Sequence, residues 1–346
     1  MTERDSSNDR NAPTRRTFLR GGAATLATTV LGSAVSAAAE QRSEGSSAKT
    51  ASVEPSPTPM PSGRIGNVKL SRLILGSNLM TGYSHARDLS GYANELFRQY
   101  NTDEKVLETL AIAEAEGINA ILQGEGRLLR RYNEERNGHI GRIQALRIKP
   151  EDDHKSIRQK IRAAADEKPN MLLYIHGVSS DLLVWRGHTD LIGTALKIAR
   201  DENVTLGIGG HSLRVVEECE DRDYTPDFYV KTFHHDQYWS AIPKANRESF
   251  CWYKGYHSEH NRWNDNMWCL DAERHIRVMR WVTVPWIAYK VLAAGAIEPK
   301  DGFSYAFQNG ADFIAVGMFD FQVRHDAGLV KKHLRPLPMR DRRWCG

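Results

Sequence analysis

Histidine at the ends of short apolar runs is the first chemical signal in this 346-residue chain. His176 follows Leu172-Leu173-Tyr174-Ile175, His211 follows Ile208-Gly209-Gly210, and His234-His235-Asp236 follows Val230-Lys231-Thr232-Phe233. Neutral imidazoles with a carboxylate ligate Zn, Mn, Fe or Co, and such a metal polarises a carbonyl or activates water. His176, His211 and His235 are therefore the expected ligands of a divalent metal. His176 and His235, with Glu125, are also candidate acid/base groups. Lys231 and Lys290 sit within apolar runs, where an inward lysine can form a Schiff base or hold an anion. Gln123 and Arg127 flank Glu125 and are read as substrate contacts.

A second signal is the segment 237–268, which carries Tyr238, Trp239, Trp252, Tyr253, Tyr256, Trp263 and Trp268 together with His257 and His260. Loops of this length are uncommon unless functional. Flat aromatic faces suit stacking on sugar rings, so Trp239, Trp252 and Trp263 are read as substrate-binding. The competing reading is that the aromatics pin the loop to the fold, with Cys251 paired to Cys269. The other cysteines, Cys219 and Cys345, have no metal-type spacing.

The elements that must position these residues alternate regularly. Strand-like runs are expected at 73–76, 118–122, 140–148, 171–175, 205–208, 228–233, 286–292 and 312–316. Helical periodicity fills 103–117, 152–167, 191–200, 213–220, 271–282 and 301–309. Eight strands interleaved with helices predict an α/β chain, a (β/α)8 TIM barrel, whose active site forms at the C-terminal ends of the strands. An open doubly wound sheet is the alternative, but no strand ends in a glycine-rich phosphate turn. Strand alternation is read with Phe228, Val230, Tyr289 and Val291 facing the helices. That places Lys231, Phe233, His235 and Lys290 inward, and His234 outward.

Upstream, Thr14-Arg15-Arg16-Thr17-Phe18-Leu19-Arg20, a weakly apolar run and Ala34-Val35-Ser36-Ala37 make a twin-arginine export signal over 1–39. Residues 40–63, rich in Ser and Pro, read as an extended linker, and 64–346 as the barrel with its aromatic insertion. The expected location is periplasmic or secreted, with the twin-arginine machinery as a partner and no stable membrane span in the mature chain. Net charge is +4, and half of that excess lies in the first 39 residues. No basic stripe points to nucleic acid, so the expected partner is a small-molecule substrate.

Three stretches carry a resemblance. The run Gly66-Asn67-Val68-Lys69-Leu70-Ser71-Arg72-Leu73-Ile74-Leu75-Gly76 resembles the opening hairpin and first strand of the aldo-keto reductases. Glu114-Ala115-Glu116-Gly117-Ile118-Asn119 is similar to their entry to strand two, and Tyr174-Ile175-His176 to their fourth strand with its histidine. The resemblance implies the barrel fold, a nicotinamide cofactor and a Tyr acid supported by Lys and Asp. Leu122 and Arg127 stand where the family has that Asp and Tyr, and Arg147 and Lys149 lie near its Lys. Leu cannot polarise a lysine and Arg cannot donate the proton. The expected activity is therefore a metal-dependent isomerase, lyase or hydrolase acting on a sugar-like carbonyl or polyhydroxy compound. An NADP-dependent oxidoreductase and a non-catalytic ligand-binding barrel are the alternatives.

Overall fold

The computed structural model describes residues 53–247 and 266–346. Among these described residues, ten strands form two sheets. β1 (Ser62–Ile65) and β2 (Val68–Ser71) make an antiparallel hairpin. The other eight close a parallel barrel in the order β10-β3-β4-β5-β6-β7-β8-β9. They are β3 (Leu73–Gly76), β4 (Ala120–Leu122), β5 (Gly141–Leu146), β6 (Asn170–Ile175), β7 (Leu206–Gly210), β8 (Tyr229–Thr232), β9 (Trp286–Tyr289) and β10 (Phe313–Gly317). All eight expected strands are present, with ends shifted by at most three residues, and the hairpin is where its resemblance placed it.

Two apolar layers follow from the strand alternation. Ile74, Ala120, Leu122, Ile143, Leu172, Tyr174, Phe228, Val230, Ile287, Phe313 and Ala315 fill the barrel interior, and Ile65 and Leu70 of the hairpin join them. Leu73, Leu75, Leu173, Ile175, Ile208, Tyr229, Phe233, Trp286 and Ile314 face outward into the layer under the helices. Each fully buried large side chain contributes roughly 1.5–3 kcal/mol, so both layers hold the barrel shut.

The register expected for β8 is reversed. Phe228 and Val230 point into the barrel, and Tyr229, Lys231 and Phe233 point out. The cause lies on the neighbouring strand: a Cβ on Gly207 would stand 2.7 Å from the Phe228 ring. Bare backbone at Gly207 opens the space that Phe228 fills. A parallel strand is apolar on both faces, so its own sequence does not reveal which face is inner.

Helices not expected from periodicity also appear. They are α1 (Ser90–Tyr100), α3 (Gly126–Glu135), α5 (Gly177–Trp185) and α10 (Asp320–His333). α2 (Asp103–Ala115) starts at Thr102, whose hydroxyl accepts the Lys105 N–H. The proposed linker 40–63 divides: 40–52 lies outside the described residues, and 53–61 is docked on the barrel. Ser56 N donates to Ala115 O at 2.8 Å, Lys331 Nζ reaches Ser56 Oγ at 2.8 Å, and Met60 is buried. Among the described residues no helix is long and apolar enough to cross a membrane.

Candidate active site

Three consecutive strands deliver inward residues just past their C-terminal ends. On β5, Ile143 and Ala145 face the interior, so Arg147 continues that face. β6 pairs with β5 through Ala145↔Tyr174 and Leu146↔Ile175, which sets His176 beside Arg147. β7 follows with Tyr174↔Gly207, so the inward face runs Gly207, Gly209, His211.

His176 is the N-cap of α5, and its Nδ1 accepts the Val178 N–H at 3.3 Å. One turn into α5, Asp181 is fully buried and turns to β7. Its carboxylate accepts the His211 N–H at 3.1 Å, the Ser212 N–H at 3.0 Å and the His211 ring at Nδ1, 2.7 Å away. Gly177 makes this junction possible. A Cβ there would stand 2.9 Å from Tyr289 Oη and 3.1 Å from the His211 ring.

The hydrogen bonds assign the tautomers. Backbone N–H groups already donate to both Asp181 oxygens, so His211 donates from Nδ1 and carries its lone pair on Nε2. His176 accepts at Nδ1, so its proton is on Nε2. Burial, then the Arg147, His211 and Lys290 charges, push His176 down to about 3. His211 is also lowered by burial, partly offset by Asp181. Both rings are neutral at pH 7, one a proton acceptor and the other a donor.

Lys290 completes the group by a different route from the one expected. Tyr289 packs on the inner layer with Ile287, so alternation would send Lys290 outward. A left-handed backbone turn (φ 57°) redirects it. Its ammonium lies 4.3 Å from the Trp268 ring centroid and donates to His85 Nε2. Trp268 in turn lies 4.9 Å from the His211 ring and 5.3 Å from His85. Gln123, also in a left-handed conformation, donates to Tyr174 Oη at 2.9 Å. A cavity of about 530 Å³ lies alongside, with His211, Lys231, Trp268, Cys269 and His275 in its wall.

Other expected site residues are placed elsewhere. His235 faces helix α9 (Pro299–Gln308), with Nε2 3.2 Å from Asp301 Oδ2 and its ring against Tyr305. His234, expected to point outward, is the more buried of the two, and both its nitrogens serve the backbone. Nδ1 bonds His235 O at 2.8 Å, and Nε2 accepts the Trp268 and Cys269 N–H groups at 3.0 and 3.1 Å. Lys231 lies under the helices, its ammonium donating to His211 O, Thr232 O and Thr232 Oγ1. Glu125 and Arg127 form an exposed ion pair that Asp103 of α2 extends, which ties α3 to α2. Leu122 is packed in the barrel interior. Trp239 is 90% exposed.

Trp252, Trp263, His257, His260 and Cys251 lie outside the described residues, and so does any Cys251–Cys269 bridge. Cys269 is buried with its Sγ 3.7 Å from His275 Nδ1.

The three-histidine metal set does not assemble. His235 is turned to Asp301, and among the described residues no three His, Cys, Asp or Glu side chains are placed to hold an ion. Sequence reasoning missed Asp181, His85 and Tyr289. Asp181 sits in a helix that periodicity did not reveal, five residues after His176. Arg147 was noticed only as a family position, although its parity with Ile143 and Ala145 marked it as inward.

No family model matches the chain, and no curated protein matches its sequence. Among solved structures, a candidate aldo-keto reductase from Pseudomonas aeruginosa superposes with a TM-score of 0.52 at 17% identity, covering 79% of this chain and 94% of that one. A glycerol dehydrogenase from Gluconobacter oxydans is more distant, with a TM-score of 0.39 at 13% identity over 68% and 64% of the two chains. A phospho-2-dehydro-3-deoxyheptonate aldolase from Thermotoga maritima gives 0.43 at 10% identity over 80% and 74%. The chain is a closed eight-stranded parallel (β/α)8 barrel with an N-terminal hairpin, and its fold is similar to that of the first of these structures.

Proposed function

We propose that the chain is a barrel enzyme that moves protons on a small carbonyl or polyhydroxy compound. His211 is the general base and His176 the facing donor. The observation that carries this reading is the buried Asp181–His211 pair at 2.7 Å, beside a second neutral histidine of opposite tautomer. A carboxylate that accepts from Nδ1 makes Nε2 the basic nitrogen of the ring, and it stabilises the imidazolium formed when that nitrogen takes a proton. Lys290 supplies a cation beside the pair, suited to a carbonyl oxygen that gains negative charge. Isomerisation or elimination uses these parts without hydride transfer.

The reductase reading finds less support. His176 matches the family histidine, but Leu122 and Arg127 are not at the mouth as an acid and its supporter. The metal-dependent version lacks its third ligand among the described residues. The export signal read in residues 1–39 belongs to the proposal, with the reaction taking place outside the cytoplasm.

The test is proton exchange. Aldoses, ketoses and hydroxy acids are incubated with the protein in D₂O, and loss of the C–H signal next to the carbonyl is followed by NMR. Exchange that His211→Gln slows by about 10²–10⁴-fold supports the reading. Exchange equal in wild type and His211→Gln would sink it, as would tight NADPH binding followed by hydride transfer.

A further inference from the structure

A mouth that takes a neutral sugar has no need of a guanidinium without a counter-ion, yet this one holds such a group. Arg147 continues the inward face of β5 and stands level with His176 across the β5–β6 pairing. Its side chain is exposed, and among the described residues no carboxylate pairs with it. Its backbone carbonyl accepts from Lys160. The nearest comparison on the same surface is Arg127, whose fork is fully used by Asp103 and Glu125.

The nearby Asp152 carboxylate is taken up by Lys160, the same ammonium that donates to the Arg147 carbonyl. Arg147 and Lys290 both act on His176, and the carboxylate of the group, Asp181, is turned away into the α5–β7 junction. His176 and His211 are neutral and do not offset them. Gln123 and Tyr174 add polar but uncharged groups, Tyr174 two residues before His176 on β6. A planar guanidinium offers parallel N–H groups that match a carboxylate or a phosphate. In a concave rim such a field also draws anions in.

We infer that the substrate of this site is an anion, a sugar acid or a sugar phosphate, whose charged group is held by Arg147 while the carbon next to its carbonyl faces His211. The inference rests on the acid/base reading above and adds to it the group that fixes the substrate's orientation. Anchoring one end at Arg147 would hold the reacting C–H against a base on the strand two positions along the barrel. Arg147 is a substrate-binding residue in this scheme and takes no part in the proton transfer.

Calorimetric titration of the full chain tests it with three probes: D-gluconate, D-glucose 6-phosphate and D-glucose. At least one of the two anions is expected to bind with a Kd of about 1 mM or below, and glucose at least about tenfold more weakly. Which anion binds tells carboxylate from phosphate. Arg147→Gln is expected to weaken the anion by about tenfold or more, Arg147→Lys by less, and Arg127→Gln not at all. Anion binding should also fall as salt rises. Glucose binding as well as the anions, neither anion binding, or Arg147→Gln binding as wild type would each overturn the inference. His211→Gln separates the two proposals. Arg147, the anchor of the anion, is intact in it, so its failure to lose proton exchange counts against the acid/base reading alone.

Discussion

The two histidine groups of this barrel stand at neighbouring strand ends and are held in different ways. His176 and His211 follow β6 and β7, and His234 and His235 follow β8. In the first group each ring is fixed through Nδ1, by Val178 N–H or by Asp181, which points the chemistry at Nε2. In the second group His234 spends both nitrogens on the backbone of His235, Trp268 and Cys269. His235 takes a backbone N–H from Gln237 on one nitrogen and faces Asp301 with the other. A histidine is made catalytic or structural by what holds its second nitrogen, and residue type and position on the strand do not decide it.

The largest effect that would break this comparison is catalytic. His211→Gln should lower proton exchange by about 10²–10⁴-fold, and His235→Gln should leave it within about twofold of wild type. The reverse pattern, read by the same NMR assay, would restore His235 to the site. Asp181→Asn should follow His211→Gln in direction, because an amide that donates to Nδ1 forces the wrong tautomer.

Next comes stability. His234→Ala removes the acceptor of two buried N–H groups and should cost about 2–5 kcal/mol in urea unfolding. His211→Gln should cost less, since its amide can still donate to Asp181. Equal losses in the two variants would erase the distinction drawn between them.

Acid sharpens the contrast. Burial holds His234 down to about 4 and His176 to about 3, against an ordinary value of 6.5. The folded state therefore binds fewer of these protons than the unfolded chain once pH drops below about 6.5. Stability is full above that point and falls as pH goes from 6.5 towards 4, by up to ~1.4 kcal/mol per pH unit per histidine. Unfolding midpoints measured across that range should drop, and His234→Gln should flatten the fall. Burial also lowers His211, partly offset by Asp181, so the acid limb of proton exchange should lie below pH 6.5.

The smallest effect is expected at Arg127→Gln. Its ion pairs with Asp103 and Glu125 are exposed, so neither unfolding nor exchange should change measurably. A loss of activity there would put the α2–α3 surface back into the site.

Legibility followed the physics of each residue. The barrel was readable because each strand is a short apolar run between helical or turn-rich stretches, and that pattern needs no partner to be seen. His176 and His211 were readable as inward strand-end residues. Lys231 and His235 were misread because β8 is apolar on both faces, and its inner face was chosen by Gly207 on the next strand. Lys290 reached the mouth through a left-handed turn that no alternation rule contains.

The sequence by itself determined the strand count, the barrel and the histidines that end β6 and β7, because apolar periodicity and local resemblance are properties of contiguous residues. Only the tertiary structure decided that Asp181 fixes His211 across 30 positions of chain, that Arg147 stands beside His176, and that His234 is an anchor. Each of those depends on a pairing register or a close packing between separate strands, and a register between strands is not encoded in either strand alone.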